Sequence, residues 1–528
     1  SYIDNLRWRM DEEYITLGDE VASAQGSKFV SIHPQQDSLS FIAKAAFYSL
    51  KDYIINASGV DSIEVADAII YPDSGIVTVA KDTYIQTLYQ SKIIADNLMR
   101  YHIFNNATVD IESANSYRAS ANYTYKDALE NEQQIFFKSI SVDQDTITIA
   151  KGNVSSENIF HIDSKFDFKG DIDLIADQKD LIFDGFFMVN HDCYLLDKEW
   201  VRFRSNIDPQ NIIFNLEEKL YNEKDDILST AIVMSFDSTD FYSTFLSKKS
   251  RSTLDISILE ANYNLQYDSN KSAYIVGGPD SLANYYTLYD KVCSTYGEGI
   301  INLDLNLGQI NLQTIGNVSH NMISKQTEVE GFLMLDFFFS EDALKIMAED
   351  FYGAPGEDLF EYDNNFMKNL GRVVGKERAE SLLLDLEMTD EYSKFPDEMK
   401  HSIVFAKTKL RWDVKNKAYV AKGSIAVSSI MDRQVNSILD GYLIIEKGTN
   451  MDVLTIYLQT ELYDEYYFYF KNGVMQAWST NIDFNAAIEK VDVEKRKAKK
   501  VKGGRTYRYM SAPEDVTEKF LKQVKKKF

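Results

Sequence analysis

The chain of 528 residues holds two cysteines, seven prolines and six histidines, and each scarcity removes a class of protein. Cys193 and Cys293 are too few for the framework of a disulfide-stapled secreted domain; they read as buried free thiols, with a single bridge between them left open. So few prolines argue against long proline-rich linkers and against a disordered, low-complexity chain. No run approaches the roughly 18 apolar residues that span a bilayer, and no charged-then-apolar leader opens the chain. It begins at Ser1, which suits a processed polypeptide, and the expectation is a soluble protein. Glycine loops of the nucleotide-binding kinds, His-Glu-x-x-His, Gly-x-Ser-x-Gly and paired Cys-x-x-Cys are all missing. No cofactor is therefore expected, and no catalytic residue is assigned.

Reactive side chains gather at one place only, His191-Asp192-Cys193. On a strand His191 and Cys193 would share a side and Asp192 would face the other, so the triplet reads as structural. The acidic series Asp167, Asp171, Asp173, Asp177, Asp180 and Asp184 lacks the loop spacing of an EF-hand and reads as outward strand positions, leaving any metal undetermined. A glycosidase pair needs only two carboxylates at a suitable separation, which a sequence cannot locate.

What the chain has in abundance is aromatic residues and negative charge. Its 33 Tyr and 31 Phe favour pleated, half-buried surfaces. The net charge is −25, unevenly divided: Glu489 to Phe528 carries 14 Lys and Arg against 6 Asp and Glu, whereas the rest carries 42 against 75. An acidic body repels nucleic acid, so no nucleic-acid partner is expected, and only the basic tail could approach an anionic membrane surface.

Alternation of apolar and polar residues, broken by turn signals roughly every ten residues, runs through the first two thirds. Tyr71-Pro72-Asp73-Ser74-Gly75 leads into Ile76 to Val79; Ile140 to Ala150, Phe166 to Leu174 and Leu181 to Val189 follow the same pattern. The fold class is mainly β: stacked sheets, a sandwich series or β-solenoid-like repeats. Four regions are expected, 1–339 as a β-repeat region, 340–400 as a helical subdomain, 401–482 as a β domain and 483–528 as a basic helical tail. Ser340-Glu341-Asp342 reads as a capped helix start, and Lys376 to Met388 places Ala379, Leu382, Leu383 and Leu386 at helical steps. Leu410-Arg411-Trp412 repeats Leu6-Arg7-Trp8 and hints at a recurring unit. Asn472-Gly473, after the aromatic run Tyr466 to Phe470, reads as a tight hairpin turn.

In the last helix Val516, Phe520, Val524 and Phe528 fall four apart and form an apolar stripe. Lys519, Lys522, Lys525, Lys526 and Lys527 spread around the remainder. Lys519, Phe520, Lys522, Val524, Lys525, Lys526, Lys527 and Phe528 are thus the candidate docking residues, onto the chain's own acidic sheets or, second, onto an anionic membrane surface or another protein.

In strand texture, Leu6-Arg7-Trp8, Ala66 to Gly75, Tyr123-Thr124-Tyr125-Lys126-Asp127 and the Phe-x-Phe-x-Gly strand at Phe166 to Gly170 give a chain that resembles the C-terminal part of large exported envelope proteins of Bacteroidota. The Phe166 to Val189 strands are also similar, more loosely, to the β-jellyroll repeats of lipopolysaccharide-transport proteins. The resemblance implies an exported, periplasmic or envelope-associated protein. With the missing site motifs, the function expected is a non-enzymatic envelope scaffold whose β surface binds other envelope proteins. A lipid or lipopolysaccharide carrier and a carbohydrate-binding or carbohydrate-active protein are the alternatives.

Overall fold

A computed structural model describes residues 5–18, 26–155, 157, 159–237, 239–248, 250–278, 282–352, 362–389, 391–499 and 506–528. Strand makes up 51% of the protein and helix 15%, so the fold is mainly β, as expected. The five α-helices described fall where helical periodicity replaces alternation: α1 Glu341–Phe351, α2 Asn364–Val374, α3 Lys376–Thr389, α4 Ile482–Lys490 and α5 Val516–Lys527. Helical spacing in the sequence runs from Glu357 to Val374, and residues 357–361 of that stretch lie outside the described residues.

The chain divides into two compact units. The first comprises Ser1–Asn190, Lys198–Asn215 and Tyr221–Asp225; the second comprises His191–Asp197, Leu216–Leu220 and Asp226–Phe528. In the first unit a five-stranded antiparallel sheet, from Leu6–Arg9 to Val77–Val79, accompanies a 13-stranded sheet. From Leu88–Ala95 to Val201–Ile207 the long sheet runs nearly as a meander, each strand beside its predecessor. That topology uses the short connections that the turn residues supply.

The second unit carries a 13-stranded sheet in which every strand from Leu265–Asp268 to Val474–Ser479 pairs antiparallel with the next; Arg508–Ser511 closes it, parallel to its neighbour. Helices α1 to α3 are inserted between two strands that remain adjacent, Gln326–Asp336 and His401–Asp413, with Glu328 opposite Arg411. The Ser340 hydroxyl accepts from the Ala343 amide and caps α1. Helices α2 and α3 bury Phe366, Leu370, Ala379, Leu382 and Leu386 against Phe332, Met334, Val404, Ala406 and Ala426 of the sheet. Helices α1 and α4 meet the sheet at Tyr466, whose ring lies 5.0 Å from Phe351 and 5.2 Å from Phe484.

The aromatic run is explained by burial from both sides. Tyr466, Phe468 and Phe470 are sealed on the side of α4 and its neighbours, while Tyr467 turns the other way beneath α5. Asn472 and Gly473, with φ of 51° and 79°, turn the chain between Glu465–Lys471 and Val474–Ser479; this is the backbone that Asn-Gly adopts at least cost. The two Leu-Arg-Trp occurrences have different surroundings. Trp8 is 55% exposed, whereas Trp412 is 7% exposed and packs on Tyr419 and Phe241.

One expectation is overturned. Cys193 and Cys293 are not free thiols but a disulfide, with Cα atoms 5.1 Å apart. The short segment His191–Asp197 belongs to the second unit although the chain on either side of it belongs to the first. There the amide of Asp192 donates to the buried Asp290, three residues before Cys293. A proximity across 100 positions leaves no local trace in sequence. Because the bridge restricts a long loop of the unfolded chain, its removal by the paired Cys193→Ala and Cys293→Ala substitutions is expected to lower stability by about 4 kcal/mol. Denaturant unfolding checks this; a midpoint equal to that of the oxidised protein would contradict it.

Candidate interaction surfaces

Side chains of the kinds that do chemistry are largely engaged in holding the fold. Cys193 is oxidised and His191 is buried with its ring 6.1 Å from Phe245, so that triplet offers no nucleophile. Of the acidic series, Asp167 accepts from His161 Nδ1 at 2.6 Å, Asp171 accepts from Asn153 and Asp184 pairs with Arg204. No group of three or more metal-capable side chains occurs among the described residues. Glu298 sits almost wholly buried beside Arg372 of α2, at 3.4 Å, with Lys368 at 3.7 Å. Burial alone would raise its carboxyl, but hydroxyl donors from Tyr285 and Tyr296, with the two cations, outweigh burial and hold it below the usual range. The cluster fastens α2 to the strand Ser294–Ile301. His320 is likewise structural: burial pushes its imidazole down to about 4, so it stays neutral near pH 7, with Nδ1 2.9 Å from Thr327 Oγ1.

Among the described residues, cavities open at the lower end of ligand-pocket sizes and below. A cavity of about 360 Å³ lies between α1 and the turn at Asp432–Gln434, and one of about 350 Å³ surrounds the ion-paired Lys447, Asp304 and Asp452. A third, about 300 Å³, is lined by Arg251, Tyr242 and His320. One lined chiefly by apolar side chains, in the first unit between Phe29, Phe41, Ile55 and Ile85, holds about 110 Å³, too little for a lipid chain with its headgroup. The last, about 460 Å³, adjoins α5.

Two surfaces stand out as ordered and open, one in each unit. In the first unit, the strands Thr148–Val154, Phe166–Ile175, Leu181–Val189 and Val201–Ile207 lie side by side. Their register sets Asn153, Asp171, Asp184 and Arg204 in one row, and Lys169, Phe186 and Arg202 in a second. Alternation sends both rows to the same face. In the first row Asn153 donates to Asp171 at 2.6 Å and Arg204 approaches Asp184 at 3.5 Å. In the second, the Lys169 ammonium stands 4.3 Å from the Trp200 ring centre and 5.8 Å from that of Phe186, and the Arg202 guanidinium is 5.6 Å from Phe186. Glu223 and Asp225 pair with these two cations. Every member is fixed by a neighbour, so the face pays little ordering entropy on contact. The alternation of Phe166 to Val189 marks these strands in sequence, but the partnership of Lys169, Phe186, Trp200 and Arg202 appears only once the register is known.

In the second unit, the candidate docking residues come together on α5. Phe520, Val524 and Phe528 pack on Ala418, Val420, Tyr442 and Ile444, and the Phe520 ring lies 5.4 Å from Tyr467 and 5.9 Å from both Tyr442 and Tyr457. Lys527 reaches Glu446, and its carbonyl accepts from Asn416 at 3.0 Å. Lys519 and Lys522 pair with Asp515 and Glu518 one turn earlier on the helix, at exposed positions where such pairs contribute little. Lys525 and Lys526 are exposed and have no ion-pair partner among the described residues. The contact with the sheet is thus mainly apolar, with one ion pair to an acidic strand residue.

Compared with protein-family models, with curated proteins and with solved structures, the chain matches none. Function is read from the surfaces themselves.

An apolar seat predicts its own salt response. Trypsin should leave α5 attached both at low salt and at 1 M salt, where screening shortens the reach of exposed charges to about 3 Å. Phe520→Ala, which forfeits about 2 kcal/mol of burial, should open the tail to cleavage at either salt. Release of wild-type α5 by salt alone would show that ion pairs hold it.

Proposed function

We propose that the protein is a non-enzymatic scaffold of the cell envelope, exported and periplasmic, whose extended β surface binds other envelope proteins. The observation that carries this reading is the pre-ordered face of the first unit, where polar and cation–aromatic rows cross four neighbouring strands. Arg, Trp and Phe set among hydrogen-bonding groups are the residue types that anchor protein interfaces. Two further points support it. A disulfide between Cys193 and Cys293 fits an oxidising compartment, and the likeness of the strand texture to exported Bacteroidota envelope proteins points the same way.

The same face favours a protein partner over a carbohydrate. Sugars stack on open aromatic faces, whereas here Lys169 already occupies the space between Trp200 and Phe186. A lipid carrier is less well supported, because the cavity lined chiefly by apolar side chains is small and the larger one beside α1 is ringed by Glu349, Glu391, Asp432 and Arg433. No helix among the described residues is long and apolar enough to cross a membrane.

A photo-crosslinking residue placed at Asn153, in the native host, is expected to join the chain to one or a few envelope proteins, and Arg202→Ala with Arg204→Asp should abolish the adduct. Adducts unchanged by those substitutions would sink the reading. Retention of the chain on a glycan array, lost in the same variant, would favour the carbohydrate alternative instead.

A further inference from the structure

The net charge of −25 makes any cationic surface on this chain exceptional, and one lies where α5 ends. A cavity of about 460 Å³ opens beside Phe528, between the last turn of α5 and the strands His401–Asp413 and Ala418–Met431. Lys409 and Arg411 line it and share a single carboxylate, Glu328, at 2.6 and 2.8 Å. Lys422, on the next strand, lies 5.8 Å from the Tyr442 ring centre. Lys415 stands on the turn whose Asn416 holds the end of α5. Lys415, Lys422, Lys525 and Lys526 are matched by no carboxylate among the described residues. Asp413 accepts from the amide and side chain of the neutral Asn416 and keeps its negative charge, and Glu330 stands opposite Lys409, so the six cations Lys409, Arg411, Lys415, Lys422, Lys525 and Lys526 face three carboxylates, Glu328, Glu330 and Asp413. Positive charge is therefore in excess across the helix end and the adjoining strands.

The chemistry of the patch selects the partner. Protein interfaces centre on aromatic, Met or Arg anchors, but the apolar residues of α5 are already committed to the sheet. Nucleic-acid sites add stacking rings or a long basic track, and here the track is one helix of 12 residues. What remains exposed is chiefly lysine, a flexible point charge that attracts diffuse negative charge without reading shape. We propose that this patch seats the chain on an anionic lipid surface while α5 stays docked on its own sheet. The inference rests on the geometry of the second unit and does not depend on the scaffold reading or on the face of the first unit.

The test uses the full chain with vesicles of phosphatidylglycerol and phosphatidylcholine, compared with phosphatidylcholine alone. Co-sedimentation should rise with the phosphatidylglycerol fraction and vanish at 1 M salt. Lys525→Gln with Lys526→Gln should weaken partitioning by roughly 30-fold, since each lysine near such a surface contributes about a factor of five. Both positions are exposed, so far-ultraviolet circular dichroism of the variant should match wild type. The helix should resist trypsin on the vesicle, as it is expected to in solution. Equal binding to phosphatidylcholine, no binding to either, or a variant that binds like wild type would each overturn the proposal. Tighter binding of a single-stranded oligonucleotide than of the anionic vesicles would overturn it in favour of nucleic acid, and tryptic release of α5 on binding would overturn the docked geometry.

Discussion

Where glycines stand directly opposite one another on neighbouring strands, the backbones come closer than any side chain would permit, and the layout of both units depends on this. In the second unit Gly299, Gly316 and Gly331 form an unbroken line across three strands; Gly423 also faces Gly441, but a Cβ at Gly423 would meet nothing within 4 Å, and the close contact of Gly441 is to Tyr457 on its other side. A Cβ at Gly316 would lie 2.1 Å from the carbonyl oxygen of Glu330, and one at Gly331 would lie 2.3 Å from that of Ile315. In the first unit Gly170 faces Gly185 in the same manner, with contacts of 2.5 and 2.4 Å to the opposing carbonyls. Such glycine positions let a long strand change direction partway, which flat pleating forbids.

The line divides strands that would otherwise be uniform. Before Gly331, the strand Gln326–Asp336 buries alternate residues, Thr327 and Val329, and leaves Glu328 and Glu330 toward solvent; after it, Phe332, Leu333, Met334 and Leu335 are all buried. Ala418–Met431 does likewise: Lys422 and Ser424 beside Gly423 are exposed, and Ile425 to Ile430 are buried without a break. Helices α2 and α3 cover the second face only beyond the line. Helix α5 covers the stretch before it, at Ala418 and Val420. Lys422 sits in the gap between them. The cationic patch is thus a by-product of where the sheet changes direction, and the Glu298 and Arg372 pair secures the helical side of the same boundary.

How much of this was legible in sequence follows from the range of each interaction. Alternation, the Ser340 cap and the Asn472-Gly473 turn involve residues within a few positions of one another, and the chain displays them openly. The stripe of Phe520, Val524 and Phe528 was equally plain, though only the fold shows Tyr442, Tyr457 and Tyr467 waiting beneath it. The glycine lines and the row of Lys169, Phe186 and Arg202 join residues whose only common property is strand register, and the disulfide joins two residues outside any strand, 100 positions apart. Register is set by the whole sheet. Burial of the aromatic run from both sides was hidden for the same reason, because alternation normally marks one covered face and the second cover comes from helices distant in sequence.

The most direct test of this account substitutes single glycines and measures stability. Gly331→Ala should destabilise the protein by more than about 2 kcal/mol, as a Cβ forced against backbone does. The matched control is Gly371→Ala in α2, where the nearest atom to a new Cβ is a Leu282 methyl at 3.5 Å; helix propensity should make that change neutral or stabilising by up to about 1 kcal/mol. A Gly331→Ala variant as stable as wild type would contradict the claim that close glycine contacts set the layout of the sheet.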